Sequence, residues 1–118
     1  MKIVDLFIDT FPYGSHTAAF DILIAGKPLV ALKGNSFASR ISSSLLKSFN
    51  LDSLISVSFE DYENKINNLI KNKSKLEELN KKIIENKNKS SLFDTKKFTK
   101  NLEIAYLKVY ENFINRRK

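Results

Sequence analysis

Apolar positions along the chain fall into short runs separated by Gly, Pro, Asn and Ser, and two spacings alternate. Ile3, Val4, Leu6, Phe7 and Ile8 form a short β-prone run of the kind a strand covered on both faces shows, and Pro12 and Gly14 end it. Ser15 is then placed to cap a helix running from His16 to about Ala25, with Gly26 as its C-terminal stop. Pro28 opens a second apolar run, Leu29 to Leu32, and a strand–helix–strand connection of this length implies parallel pairing. After Lys33-Gly34-Asn35, Ser36 can cap a helix that carries Phe37, Ile41, Leu45 and Phe49 at four-residue spacing with Leu46 beside them. That stripe is expected in the core, and Arg40, Ser43 and Lys47 on the solvent side.

Asn50 to Ser53 breaks this helix, and Leu54 to Val57 reads as a third strand. Ser58 with Asp61 has the pattern of a capping box, opening a helix with Tyr62, Ile66, Leu69 and Ile70 on one side. Asn72 to Ser74 interrupts it, and Ser74 with Glu77 predicts the start of another, with Leu76, Leu79, Ile83 and Ile84 inward. A polar connection, Asn86 to Ser91, leads to a small apolar anchor, Leu92-Phe93, and Asp94 or Thr95 caps a last helix. Phe98, Leu102, Ala105, Val109 and Phe113 stay near one stripe of that helix, which outlasts the strands it could cover and is expected to pack on something outside the chain.

The elements sum to an α/β fold: a partial doubly wound, Rossmann-like parallel sheet of about three strands with helices, about half of a nucleotide-binding sheet, followed by a long C-terminal helix. A chain of 118 residues is one domain, 1–118, and 42% hydrophobic content with nine Phe and four Tyr is enough for a modest core. Without Cys, disulfides and thiolate metal sites are excluded, and with one His no metal is expected. No run approaches membrane-spanning length and no secretory layout opens the chain, so a cytoplasmic protein without membrane contact is expected. The net charge of +7 raises the question of nucleic acid. Across Glu60 to Ser90, however, the Lys residues are interleaved with Glu and Asn, and a tight basic cluster occurs only at Arg116-Arg117-Lys118, so nucleic acid is not the expected partner.

The chemistry points to the stretch Asp9 to Asp21. A strand feeding a helix N-terminus directs free backbone N–H groups and a partial positive charge beyond the strand, a place phosphate commonly occupies. Thr17 and Asp21 are four apart, so a hydroxyl and a carboxylate share one helix face, suited to a phosphate and a ribose diol. Asp9 is read as structural, holding the turn through backbone hydrogen bonds.

In order and spacing, four segments resemble the O-linked N-acetylglucosamine transferase family: Asp9 to Asp21 (DTFPYGSHTAAFD), Ala25 to Pro28 (AGKP), Gly34 to Arg40 (GNSFASR) and Ser90 to Thr95 (SSLFDT). The resemblance covers nearly the whole chain and matches the last part of the family's catalytic region, the C-terminal half of the donor-binding lobe of a two-lobed GT-B glycosyltransferase. It implies that His16, Thr17 and Ala18 meet the diphosphate of a UDP-sugar and that Asp21 meets the ribose. Ala18 departs from the family's Thr and removes one hydroxyl, though its N–H remains. Ser15 stands where Gly is frequent, and Ser91 where Pro is common. The family's diphosphate-contacting Lys, most uracil contacts and the acceptor-side lobe belong upstream of the matched region, so this chain alone is not expected to turn over.

Two function classes follow. The first is the UDP-binding portion of a protein O-GlcNAc transferase, which uses UDP-GlcNAc as donor substrate, needs no cofactor, and meets its acceptor protein through the complete enzyme, with the other lobe upstream or on a separate chain. The alternative is a non-catalytic nucleotide-binding or protein-interaction module derived from such a lobe.

Overall fold

The computed structural model describes residues 4–87 and 89–116. Ile3 of the first apolar run and Arg117-Lys118 of the basic end lie outside them. Three parallel strands, β1 (Phe7–Ile8), β2 (Leu29–Leu32) and β3 (Ile55–Ser56), lie in the order β1-β2-β3. Phe7 pairs with Leu29 and Ile8 with Val30, while Ala31 pairs with Ile55 and Leu32 with Ser56. Flanked on both sides, β2 buries every residue. β1 does not meet the expectation of cover on both faces: Ile8 is 48% exposed and Leu6 and Phe7 are half-buried, because β1 is an edge of this sheet.

Helices α1 (Thr17–Ile24) and α2 (Ile41–Ser48), each connecting two neighbouring parallel strands, pack on β2 and on each other. α3 (Phe59–Lys71) packs on β2 and β3 and covers the face they leave, and α4 (Lys73–Lys87) packs against α1 and α3. The core is centred on Leu23, Leu29, Val30, Leu46, Phe49, Leu51 and Ile83, all fully buried.

Gly26 ends α1 as the spacing predicts. Its φ of +76° lets the N–H groups of Gly26 and Lys27 reach back to the carbonyls of Leu23 and Ile22, each at 3.0 Å, a Schellman closure. Ile84 lies over this glycine and is 55% exposed rather than core.

α2 departs further from the expected pattern. A 3-10 turn, Ala38–Arg40, precedes it, and Ser36 Oγ accepts from the Ser39 N–H at 3.3 Å. A 3-10 turn advances about 120° per residue instead of about 100°, so the residues before Ile41 lose phase with the helical stripe. Phe37, expected in the core, is 82% exposed, and Ile41 and Leu45 are only half-buried. The face that packs is Ser39, Ser42, Ser43, Leu46 and Phe49. Ser43, expected toward solvent, is therefore buried; small side chains permit the close approach that larger apolar ones beside them do not.

Two caps distinguish α3 and α4. Ser58 Oγ accepts from the Asp61 N–H at 3.1 Å, as the capping pattern predicts, although Ile70 farther along α3 is exposed. α4 begins one residue before Ser74, and its cap is Asn72, whose Oδ1 accepts from the Lys75 N–H at 3.1 Å and from Ser74 Oγ–H at 2.8 Å. With Ser74 Oγ donating to Asn72 Oδ1 and Ser74 itself inside the helix, Asn72 takes the N-cap place expected of the Ser74–Glu77 box.

The polar stretch Asn86 to Ser90, the end of α4 and the residues after it, has a structural task. Lys87 Nζ donates to the Ile24 carbonyl at 3.1 Å, Asn86 Nδ2 to that of Phe49 at 2.6 Å and Ser90 Oγ to that of Ser48 at 3.1 Å. These are carbonyls at the C-terminal ends of α1 and α2, which have no intrahelical donor. Phe93 then sets its ring 6.0 Å from Phe20 and 6.4 Å from Phe49. Beyond it runs α5 (Thr95–Asn115), capped by Asp94, which accepts from the Lys97 N–H at 2.9 Å, and no residue of α5 is buried. The radius of gyration of 17.0 Å exceeds the ~13.5 Å of a compact chain of this length because α5 extends from the body.

Candidate functional site

All three strands end on the same side of the sheet, and ligands of open α/β sheets bind outside those carboxyl ends. The turn after β1 is held there by contacts from distant parts of the chain. Asp9 is buried, and its Oδ1 accepts from the Ser15 N–H at 2.7 Å, so the carboxylate does hold the turn. The Asp9 carbonyl accepts from the Tyr62 hydroxyl of α3. The Ser15 carbonyl accepts from Ser42 Oγ at 2.8 Å, and the Gly14 N–H donates to the Ala38 carbonyl at 3.2 Å. Gly14 is buried so closely that a Cβ would stand 3.1 Å from both that carbonyl oxygen and Asp9 Oδ2. Phe11 meets Phe59 edge to face with ring centroids 5.3 Å apart.

The phenol of Tyr62 is pushed up to about 12, first by burial and then by the Asp9 carboxylate, so it remains a proton donor to the turn through ordinary pH. One turn along α3, Lys65 Nζ reaches Asp61 Oδ2 and the Ile55 carbonyl, each at 2.7 Å, and holds the Asp61 carboxyl below its ordinary value.

Of the predicted site residues, His16 occupies the N-cap position that the spacing assigned to Ser15, and no side chain caps the helix there. The Ser15 backbone is engaged by Asp9 and Ser42 instead, which pulls it out of the capping geometry. The first intrahelical bond runs from the Phe20 N–H to the His16 carbonyl at 3.2 Å, so the N–H groups of Thr17, Ala18 and Ala19 precede it. The His16 ring stacks on Tyr13 with centroids 5.0 Å apart and planes 17° apart, and its Nε2 is buried without a hydrogen bond in the chain. Thr17, Ala18 and Asp21 are exposed, with Thr17 and Asp21 one turn apart on α1. Because α1 starts at Thr17, Asp21 falls in its second turn, beyond the stretch where the helix dipole favours a carboxylate most. The arrangement sets amide donors, an imidazole, a hydroxyl and a carboxylate along one short path, a donor set for phosphate followed by an acceptor for a diol.

Gly14, Ser42 and Tyr62 are residues of this site that spacing did not single out as supports. Spacing places Tyr62 only on an apolar face, and nothing local signals its bond to a carbonyl 53 positions away.

The family model of Glycosyl transferase family 41 matches residues 1–102. The chain belongs to this family. A probable UDP-N-acetylglucosamine–peptide N-acetylglucosaminyltransferase, SEC of Arabidopsis thaliana, is 36% identical over 92% of this chain and 11% of its own length. A SPINDLY protein of Solanum lycopersicum, described in the same terms, is 31% identical over 95% of this chain and 12% of its own. Among solved structures, a mutant O-GlcNAc transferase of Thermobaculum terrenum superposes with a TM-score of 0.84 at 31% identity, covering 92% of this chain and 21% of that one. The chain thus spans 11–12% of the length of these curated family 41 relatives. Its fold is a partial Rossmann-like lobe of the GT-B kind with a long C-terminal helix, as the four segments implied. The family match ends inside α5. Among the described residues no helix is long and apolar enough to cross a membrane.

Proposed function

We propose that this chain is the UDP-binding C-terminal portion of a protein O-GlcNAc transferase-like glycosyltransferase, which as a complete enzyme transfers N-acetylglucosamine from UDP-GlcNAc to Ser or Thr of an acceptor protein. The observation that carries the reading is the junction at Thr17: three N–H groups without intrahelical acceptors, the unbonded Nε2 of His16 beside them, and Asp21 one turn on. In this reading the amides of Thr17 and Ala18, the Thr17 hydroxyl and His16 hold the diphosphate, and Asp21 accepts from the ribose hydroxyls. As the glycosidic bond breaks, negative charge grows on the β-phosphate, and fixed amides with a helix dipole stabilise that charge more than the ground state. The reading invokes no metal, and a cytoplasmic setting accords with it.

Ala18 supplies only its N–H, so Thr17 and His16 carry more of the phosphate contact. The rest of the lobe and the acceptor side belong to other sequence, consistent with the small share of each relative that is matched. The wholly exposed α5 favours a second reading, a non-catalytic interaction module that keeps the nucleotide turn.

Titration calorimetry with UDP and with pyrophosphate tests the proposal. Charge-assisted hydrogen bonds contribute about 1.5–3 kcal/mol, so Asp21→Asn is expected to weaken UDP by about tenfold or more and to spare pyrophosphate. Thr17→Ala weakens both by a smaller factor. No UDP binding to the folded chain at millimolar concentration, or equal loss of both ligands in Asp21→Asn, refutes the assignment.

A further inference from the structure

Among the described residues the imidazole of His16 makes no hydrogen bond with the chain: it does not cap α1, and its Nε2 is buried without a partner. A side chain held by no hydrogen bond is free to change rotamer unless packing stops it. One ring supplies that packing. Tyr13 stacks on the imidazole with centroids 5.0 Å apart and planes 17° apart.

Tyr13 is 65% exposed, and among the described residues its side chain pairs with no other ring and takes no hydrogen bond, so the ring is not engaged in the core. Its backbone, by contrast, is fixed on both sides. The Tyr13 carbonyl accepts from Thr10 Oγ1 at 2.6 Å, and the following amide, that of Gly14, donates to the Ala38 carbonyl at 3.2 Å. At Gly14 the chain packs so closely that a Cβ would stand 3.1 Å from that carbonyl oxygen, which leaves the turn little room to shift. A fixed backbone thus aims an otherwise uncommitted ring at His16, across the start of α1.

We propose that Tyr13 is the positioning residue of the nucleotide site, a role that rests on the UDP reading: its ring holds the His16 imidazole at the N-terminus of α1 and acts on the diphosphate through His16, without touching the ligand. Holding the imidazole in place before a ligand arrives removes an ordering cost from binding. The stack also keeps water from one face of the imidazole, and a hydrogen bond made in drier surroundings is stronger. Tyr13 therefore raises affinity for any ligand that carries the diphosphate, with or without the nucleoside.

Calorimetry with UDP and with pyrophosphate on the full chain tests this, together with the NMR ring resonances of His16, the sole histidine of the sequence. Tyr13→Ala should weaken both ligands by the same factor, about threefold to tenfold, the range an aromatic pair supplies. Tyr13→Phe, which keeps a face to stack on, should restore the affinity. In a His16→Ala background Tyr13→Ala should cost nothing further, because two residues that act as one unit are lost only once. The urea midpoint should not move in Tyr13→Ala, since the side chain is exposed and the bond from Thr10 goes to the backbone. The ring resonances need no ligand: protons stacked on an aromatic face resonate upfield, so the His16 signals should move downfield in Tyr13→Ala and stay in place in Tyr13→Phe. A wild-type chain that binds neither ligand refutes the UDP reading and this proposal with it. Binding by the wild type with unchanged His16 resonances in Tyr13→Ala overturns this proposal alone. So does a loss of UDP without loss of pyrophosphate, which would mean that the ring touches the nucleoside, and so do losses in Tyr13→Ala and His16→Ala that simply add.

Discussion

Phe49 and Phe98 are the same residue on helices with similar apolar stripes, yet one is fully buried and the other 65% exposed. Phe49 closes α2 against the body, where Leu46, Leu51 and the Phe93 ring surround the same core. Phe98 lies in the first turn of α5, a helix of 21 residues joined to the body through the turn at Phe93. The contrast teaches that a stripe states which face of a helix is apolar, not whether the same chain supplies its cover. Phe37 repeats the lesson inside the body, just ahead of a 3-10 turn and helix that pack through serines instead.

The largest expected effect falls on the buried member of this pair. Phe49→Ala should lower unfolding free energy by about 3–5 kcal/mol, against less than about 0.5 kcal/mol for Phe98→Ala, read from urea midpoints at one protein concentration. A large loss in Phe98→Ala would mean that α5 is folded against the body in solution. Sedimentation of the wild type sharpens the point, because an uncovered apolar face on α5 is expected to promote self-association.

Helix caps probe the same division at a smaller scale. Ser58→Ala, at the start of α3, should lower global stability by about 1 kcal/mol. Asp94→Ala removes an equivalent bond at the start of α5 but should leave the unfolding midpoint in place, raising amide exchange along the first turns of α5 by about fivefold. Similar global losses for the two caps would erase the distinction between body and tail.

Tyr62 gives the subtlest effect, confined to alkaline pH. Its folded-state value of about 12 lies above the ordinary 10, so the fold favours the protonated phenol. That contribution is fully present below about pH 10 and is lost as pH rises through 12. Stability of the wild type should therefore fall more steeply than that of Tyr62→Phe between those limits, measured by urea midpoints. Parallel curves would show that the phenol is not buried beside the Asp9 carboxylate in solution.

The order of elements was legible from spacing because it depends on local chemistry. Gly26 ends α1 with a positive φ, Ser58 and Asp94 cap their helices, and the run Leu29 to Leu32 is buried throughout as a strand between two others must be. The segments around Asp9 to Asp21 and Ser90 to Thr95 likewise carried the family likeness that the match over residues 1–102 establishes. Whether His16, Thr17, Ala18 and Asp21 bind UDP rests on the ligand experiments above.

Only the tertiary structure decided which stripes find partners and what holds the turn. The buried face of α2 is built from Ser39, Ser42 and Ser43, whose value lies in close approach and in the bond from Ser42 to the Ser15 carbonyl, neither visible to a hydrophobic count. The cap at His16 follows from the Ser15 backbone being held by Asp9 and Ser42 at once. Tyr62 reaches the turn across 53 positions, and Asn86 and Lys87 reach the ends of α2 and α1 across 37 and 63. Periodicity carries information about neighbours within one turn of helix or strand; bonds between residues far apart in sequence exist only once the chain has folded and brought their atoms within reach.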